Sequence, residues 1–246
     1  MYISWYFIIN SALILLLLFL GYQYLESHWS YKINKPFAWE QAIANNLVDP
    51  RLTKLERTFR DRVRFYNLWF QIERLKRNKI KGAFAELGVH QGNTAKAIHL
   101  MDQTRPFFLF DTFKGFDERD LEKEQKADHK YSTTNFADTD IEQVRLYVGG
   151  NENIIFREGY FPETTFGLEN QLFALVHLDA DLYVPTLEAL NFFYPRLSGE
   201  GVIIIHDYNH NWDGIPLAVN DFIDKIPESL IAITDWQGSV MIIKNS

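Results

Sequence analysis

Six side chains in this sequence could do chemistry together: Glu86, Asp111, Asp179, Asp181, His206 and Asp207, each at or just past the end of a short apolar run. An apolar run that ends in an acid reads as a buried strand delivering a carboxylate to its carboxyl end, where open α/β sheets bind ligands. Glu86 is followed by Gly88 and Gly92, and a helix-compatible stretch, Asn93 to Met101, opens directly after them. Glycines let the chain reverse through positive φ and let a ligand lie against backbone without a Cβ. The helix start adds unpaired N–H groups and partial positive charge. The spacing E-x-G-x-x-x-G differs from the G-x-G-x-x-G of dinucleotide sites. An acid in that place repels phosphate but suits a ligand with an ammonium group and no phosphate, such as S-adenosylmethionine. Asp111 ends the next run, Pro106 to Phe110 (PFFLF), about twenty residues after the glycine turn, where an acid can take both hydroxyls of a ribose.

Asp179, Asp181, His206 and Asp207 come from two further runs expected to be neighbouring strands. Oxygen and imidazole donors suit a divalent cation, which could hold a hydroxyl and lower its pKa. The alternative makes Asp179 a cofactor contact, Asp181 a helix cap and His206 a loop histidine with its hydrogen bonds met.

The elements that must position these groups alternate. Ala83 to Leu87, Pro106 to Phe110, Asn153 to Arg157, Gln171 to Leu178 and Gly201 to Ile205 read as strands. The nearly continuous apolar character of the fourth is that of a strand covered on both faces. Thr186 to Leu197 and Gly214 to Ile226 read as helices, Ser198 to Gly201 as a turn, and Leu230 to Thr234 with Ser239 to Ile243 as a closing hairpin. Thr112 to Asp140 is polar, carries His129, and is long enough to be a lid or substrate loop. From Arg51 to Asn78 apolar residues recur at three- and four-residue steps, which predicts one long amphipathic helix with a basic outer face; that face could rest on anionic headgroups. The class predicted is α/β: a mostly parallel, Rossmann-like sheet with an antiparallel C-terminal hairpin.

Nothing charged lies between Tyr2 and Leu25, and the centre is ALILLLLFL. Such a stretch can cross a hydrocarbon core of about 30 Å, and Trp5, Tyr6, Tyr22 and Tyr24 stand near its ends as interfacial aromatics do. Residues 1–25 are therefore expected to be a single-pass transmembrane anchor, 26–80 a connector with helices, and 81–246 the catalytic domain. Lys32 and Lys35 follow the span and no Lys or Arg precedes it, so the positive-inside rule places that domain in the cytoplasm. With no cysteine in 246 residues, disulfides and thiolate metal sites are excluded, and a formal net charge of −7 argues against a nucleic-acid partner.

The chain from about Asp61 to Lys244 resembles the macrocin O-methyltransferase family of class I S-adenosylmethionine-dependent enzymes, which methylate sugar hydroxyls of glycosylated natural products. The segments FYNLW, AELGVHQGNTAKAI, FLFDTFKGF, VRLYVGGNENIIFREGYFPET and LDADLYVPTLEALNFFYPRLSGEGVIIIHDY carry the similarity. It implies a cofactor set of Glu86, Gly88, His90, Gly92, Asn93, Thr94, Asp111, Thr112, Gly159, Tyr160 and Asp179, and a magnesium site of Asp179, His206 and Asp207. The family has aspartate where this chain has His206, a change that removes negative charge and favours Mn²⁺, Fe²⁺ or Zn²⁺ over Mg²⁺. The resemblance also implies a lid histidine as general base, which here is His129, working with Asp179. The expectation is a membrane-tethered, metal-assisted O-methyltransferase acting on a small-molecule or lipid-linked glycan. A D-x-D glycosyltransferase, through Asp179-Ala180-Asp181, and a non-catalytic anchored scaffold are the alternatives.

Overall fold

Strands form where apolar β-branched and aromatic residues run without interruption, and here those runs are fully covered. Every residue of β1 (Ala83–Leu87) and β4 (Phe173–Leu178) is buried in the computed structural model, which describes the chain apart from residues 1–3, 125–130, 151 and 211–212. With β2 (Phe107–Asp111), β3 (Ile154–Glu158), β5 (Leu197–Ile205), β6 (Ile231–Ala232) and β7 (Val240–Ile243) they make a seven-stranded sheet in the order β3-β2-β1-β4-β5-β7-β6. β1 to β5 are parallel, and β7 is antiparallel to both β5 and β6. The expected mostly parallel sheet with a closing antiparallel hairpin is therefore present. Strand order reverses between β1 and β4, and at such a switch point the flanking loops part and leave a crevice.

The chain divides after Val48 into two units. The first holds α1 (Trp5–Asn34), whose N-terminus is capped by the Ser4 side chain, and α2 (Phe37–Ala44). Trp5–Glu26 has a mean hydropathy of 2.0 and is unburied. By length and composition it could cross a membrane, and a signal sequence would meet the same criterion.

The second unit begins with α3 (Pro50–Thr58) and α4 (Arg62–Arg77). The single long helix expected over Arg51 to Asn78 is thus two. Asp49 caps α3, and Asp61 caps α4 by accepting from the Arg64 backbone N–H at 3.0 Å. The second Asp61 oxygen accepts from the Trp236 N–H at 2.9 Å, so the break is pinned to the β6–β7 turn. Nor is the basic face of α4 wholly outward: Arg74 donates to the Glu200 carbonyl at 2.8 Å.

The remaining helices are α5 (Asn93–Met101), α6 (Glu118–Glu124), α7 (Ile141–Val148), α8 (Tyr183–Phe193) and α9 (Gly214–Ile223), with short 3₁₀ turns at Glu163–Thr165 and Tyr194–Arg196. α8 starts three residues earlier than its apolar pattern suggests. Ser198 to Gly201, expected as a turn, is a bulge inside β5: Leu197 pairs with Phe173 and Val202 with Leu175, so four residues stand against Ala174. Between the sheet and α8 lies an aromatic core. Phe193 packs edge-on against Phe173 (5.0 Å, 88°) and Phe110 (5.8 Å, 73°), contacts worth about 0.5–1.5 kcal/mol each beyond burial.

Candidate active site at the sheet switch point

A cavity of about 470 Å³ opens at the carboxyl ends of β1, β2, β4 and β5, bounded among others by Gly88, Asp111, Asp179, Asp181, His206 and Asp207. That volume is in the range of small-molecule sites. Gly88 (φ +85°) passes so close to the end of β4 that a Cβ would stand 1.9 Å from the Asp179 carbonyl oxygen. Only glycine fits, and the two strand ends are brought together as a result.

Asp111 organises the loop beside it. One carboxylate oxygen accepts from the backbone N–H groups of Val89 (2.7 Å) and His90 (2.8 Å), the other from Phe113 (2.7 Å). These bonds fix the glycine loop to the end of β2 and leave acceptor capacity on the carboxylate, since two oxygens offer about four lone-pair sites. His90, Thr112, Gly159 and Tyr160 also border the cavity. His90 Nε2 lies 2.7 Å from Asp138, and the Tyr160 hydroxyl donates to Asp120 at 2.9 Å. Burial pushes the Asp120 carboxyl up to about 6.

Four expected ligand residues lie elsewhere. Gly92, at φ +80°, starts α5 beneath α7: a Cβ on it would meet Val148 at 2.8 Å and Val144 at 2.9 Å. Asn93 accepts a hydrogen bond from Tyr147 of α7 at 2.8 Å, and Thr94 is buried. The helix start that was to face the ligand is thus covered by α7, an element not foreseen. Glu86 is the fourth residue outside the cavity lining. It is the penultimate residue of β1, 1% exposed, and turned into the sheet with Oε1 at 3.1 Å from His177 Nδ1. Burial, then the neighbouring Asp179, pushes its carboxyl well above the usual carboxylate range, and burial pulls His177 down to about 3. Glu86 is therefore buried beside His177, outside the residues that line the cavity. His129 lies outside the described residues.

Across the cavity, the donor atoms of Asp179, His206 and Asp207 lie within 4.8 Å of one another, as the sequence suggested. His206 Nδ1 is 2.8 Å from Asp179 Oδ1 and 3.3 Å from Asp207 Oδ1, while Nε2 is 2.5 Å from Nη1 of Arg64. Burial opposes a charge on His206, but Asp179 and Asp207 outweigh it and push the ring up to about 10. Arg64 acts the other way, because an N–H that approaches a ring nitrogen so closely needs a lone pair there. The close approach of Arg64 suits a ring proton on Nδ1, toward Asp179, and both ring nitrogens have partners. Burial opposes ionisation of Asp179 too, yet His206 and Arg64 hold it below the usual carboxylate range. Asp181, at φ +61°, is raised well above that range by burial and by Asp179 and Asp207.

Arg64 was missed. In the sequence it is one of the basic residues of a single long helix; only the break at Asp61 puts it in the first turn of α4, against the positive end of the helix dipole. Trp236 and Gln237 of the β6–β7 turn also border the cavity, and Gln237 donates to Asp207 at 2.6 Å. Arg60 stacks on Trp236 with its guanidinium carbon 4.8 Å from the ring centroid.

Comparison with known proteins places this arrangement among relatives. Among curated proteins, the chain is 28% identical over 159 residues to 8-demethyl-8-(2,3-dimethoxy-alpha-L-rhamnosyl)-tetracenomycin-C 4'-O-methyltransferase of Streptomyces olivaceus, covering 59% of this chain and 60% of that protein. It is 28% identical over 161 residues to mycinamicin III 3''-O-methyltransferase of Micromonospora griseorubida, covering 59% of this chain and 62% of the relative. The match thus spans about three fifths of the length of these relatives. In fold it is similar to the O-methyltransferase NovP (TM-score 0.62, 23% identity, 75% of this chain and 81% of that one) and to the calicheamicin methyltransferase CalS11 (TM-score 0.58, 19% identity, 86% and 87%). Residues 28–242 match the family described as Macrocin-O-methyltransferase (TylF), beginning well before the Asp61 at which the resemblance was first legible. This chain belongs to the macrocin O-methyltransferase family.

Proposed function

We propose that the protein is an S-adenosylmethionine-dependent O-methyltransferase acting on a hydroxyl of a sugar or glycosylated substrate. The observation that carries this reading is the meeting, at one switch-point cavity, of the Gly88 loop, the Asp111 carboxylate and the Asp179 cluster. The curated relatives, both named as O-methyltransferases, one with a rhamnosyl group in its substrate's name, supply the sugar part of the proposal.

Gly88 would leave backbone bare for the cofactor, and Asp111 would hold its ribose hydroxyls. When bound, S-adenosylmethionine supplies an electrophilic methyl whose sulfur keeps the bonding electron pair as the carbon leaves. Asp179, whose side chain is 24% exposed beside the cavity, would accept the proton that the acceptor hydroxyl gives up as its oxygen takes the methyl. His206 orients that carboxylate through its Nδ1–H. Alignment of the reacting groups supplies much of the acceleration in such direct transfers. His129 remains a candidate second proton acceptor from the 112–140 loop.

Residues 1–25 are proposed as a single-pass anchor with the catalytic unit in the cytoplasm, the motivation being the unburied apolar stretch Trp5–Glu26. A tethered enzyme suits a lipid-linked glycan better than a freely diffusing acceptor. Of the helices in 26–80, α3 and α4 belong functionally with the 81–246 domain, because Arg60, between them, and Arg64 of α4 line the cavity. The test is incubation of the detergent-solubilised full chain with methyl-labelled S-adenosylmethionine and glycan and lipid extracts. Label in a sugar hydroxyl, absent with Asp179→Asn, supports the reading; label only in protein or nucleic acid contradicts it.

A further inference from the structure

We propose that the guanidinium of Arg64 fills the role that Asp179, His206 and Asp207 would otherwise give to a divalent cation, and that the site works without one. The inference rests on the methyltransferase reading for what the site does, but not for what it binds.

By composition alone the three residues could hold a metal, since their donor atoms lie within 4.8 Å of one another. The hydrogen bonds of His206 oppose it. A neutral imidazole has one N–H and one lone pair. Here Nδ1 lies 2.8 Å from Asp179 Oδ1 and Nε2 lies 2.5 Å from Arg64 Nη1, so both ring nitrogens already have partners within the protein. A cation on Nδ1 would move the proton to Nε2, where it would face an N–H of Arg64, donor against donor at hydrogen-bonding distance. A cation on Nε2 would need the space that Nη1 fills. Either way a dication would also stand beside a guanidinium 3.8 Å from Asp179 Oδ2. Arg64 and a metal bound through His206 therefore exclude each other.

Arg64 is not a side chain that could easily swing away. It is 14% exposed, its backbone N–H is tied to the Asp61 cap at 3.0 Å, and its guanidinium carbon lies 5.6 Å from the centroid of the Phe59 ring. A cation in the first turn of a helix is opposed by the helix dipole, and the carboxylates of Asp179 and Asp207 offset that opposition. Arg64 thus acts as a positioning residue that orients His206, and through it Asp179, while its charge offsets one of the two carboxylates.

The test is titration of the detergent-solubilised full chain with Mn²⁺, read by electron paramagnetic resonance, beside the tautomer of His206 read by ¹⁵N NMR. Wild type is expected to leave Mn²⁺ free up to roughly millimolar concentration, weaker than dedicated cation sites, with the His206 proton on Nδ1. Arg64→Met is expected to gain Mn²⁺ affinity by roughly tenfold or more, the scale on which ligand-orienting contacts act. Micromolar Mn²⁺ binding by wild type, an Nε2–H ring, or no gain in a folded Arg64→Met protein would each overturn the proposal. Should Arg64→Met fail to fold, the two wild-type measurements decide. Calorimetry with S-adenosylmethionine on the same sample separates the outcomes: lost cofactor binding sinks the methyltransferase reading and leaves the metal result standing by itself.

Discussion

Two histidine–carboxylate pairs lie side by side in this sheet, their rings 6.2 Å apart, and they are put to different uses. Glu86 and His177 sit within β1 and β4, both at most 1% exposed, in a region where burial drives both partners neutral. Asp179 and His206 sit just past the ends of β4 and β5, at the cavity wall, with Arg64 and Asp207 around them. A difference of two positions along β4 separates a structural pair from one that can exchange a proton with a ligand. Low dielectric without a compensating charge neutralises the first; the guanidinium keeps the second polarised.

The largest expected effect breaks the comparison on the cavity side. Asp179→Asn should lower methyl transfer by roughly a hundredfold or more, the scale of a lost proton acceptor, while S-adenosylmethionine affinity measured by calorimetry stays within about threefold. Equal loss of cofactor binding would place Asp179 in the cofactor site instead. Next comes the sealed side. Glu86→Ala should leave His177 unpaired over a new void and cost about 2–4 kcal/mol of stability, read as a fall in thermal midpoint. Glu86→Gln, which keeps the shape of a neutral carboxyl, should do little to stability or to cofactor affinity. A large loss of affinity in Glu86→Gln would restore the anionic role that the sequence first suggested.

A pH experiment sharpens the contrast further. The His177 pKa is about 3 in the folded chain, against about 6.5 unfolded. Between those values the unfolded chain binds the extra proton, so stability rises with pH and is lost as pH falls below 6.5. Acidification from pH 7.5 to 5 should cost wild type about 2 kcal/mol relative to His177→Gln. Glu86, raised rather than lowered, contributes the opposite sign in both proteins and drops out of the difference. Identical pH profiles for the two would show that the ring is not held neutral. The smallest effect concerns Trp236, 65% exposed at the cavity edge. Trp236→Ala should raise the acceptor KM severalfold with the cofactor Kd unchanged.

The sheet, its hairpin, the glycine loop and the strand-end acids were legible because buried parallel strands are apolar runs and their ends are marked by the first acids. What the runs do not encode is facing. Glu86 is inside its strand by one residue, and only Leu87 reaches the cavity. Asn93 and Thr94 were expected at a bare helix start, which α7 covers through Val144, Tyr147 and Val148. Periodicity through Arg51 to Asn78 ran on across a break set by a tertiary contact, Asp61 to the Trp236 N–H, which no local pattern carries. Arg64 was hidden for the same reason: its partners lie more than a hundred residues away along the chain.

The most direct test of the central claim is calorimetry of the full chain with S-adenosylmethionine. Micromolar binding by wild type, lost in Asp111→Ala and kept in Glu86→Gln, is the predicted result. No binding by the folded wild type, or binding of a UDP-sugar in its place, would contradict it.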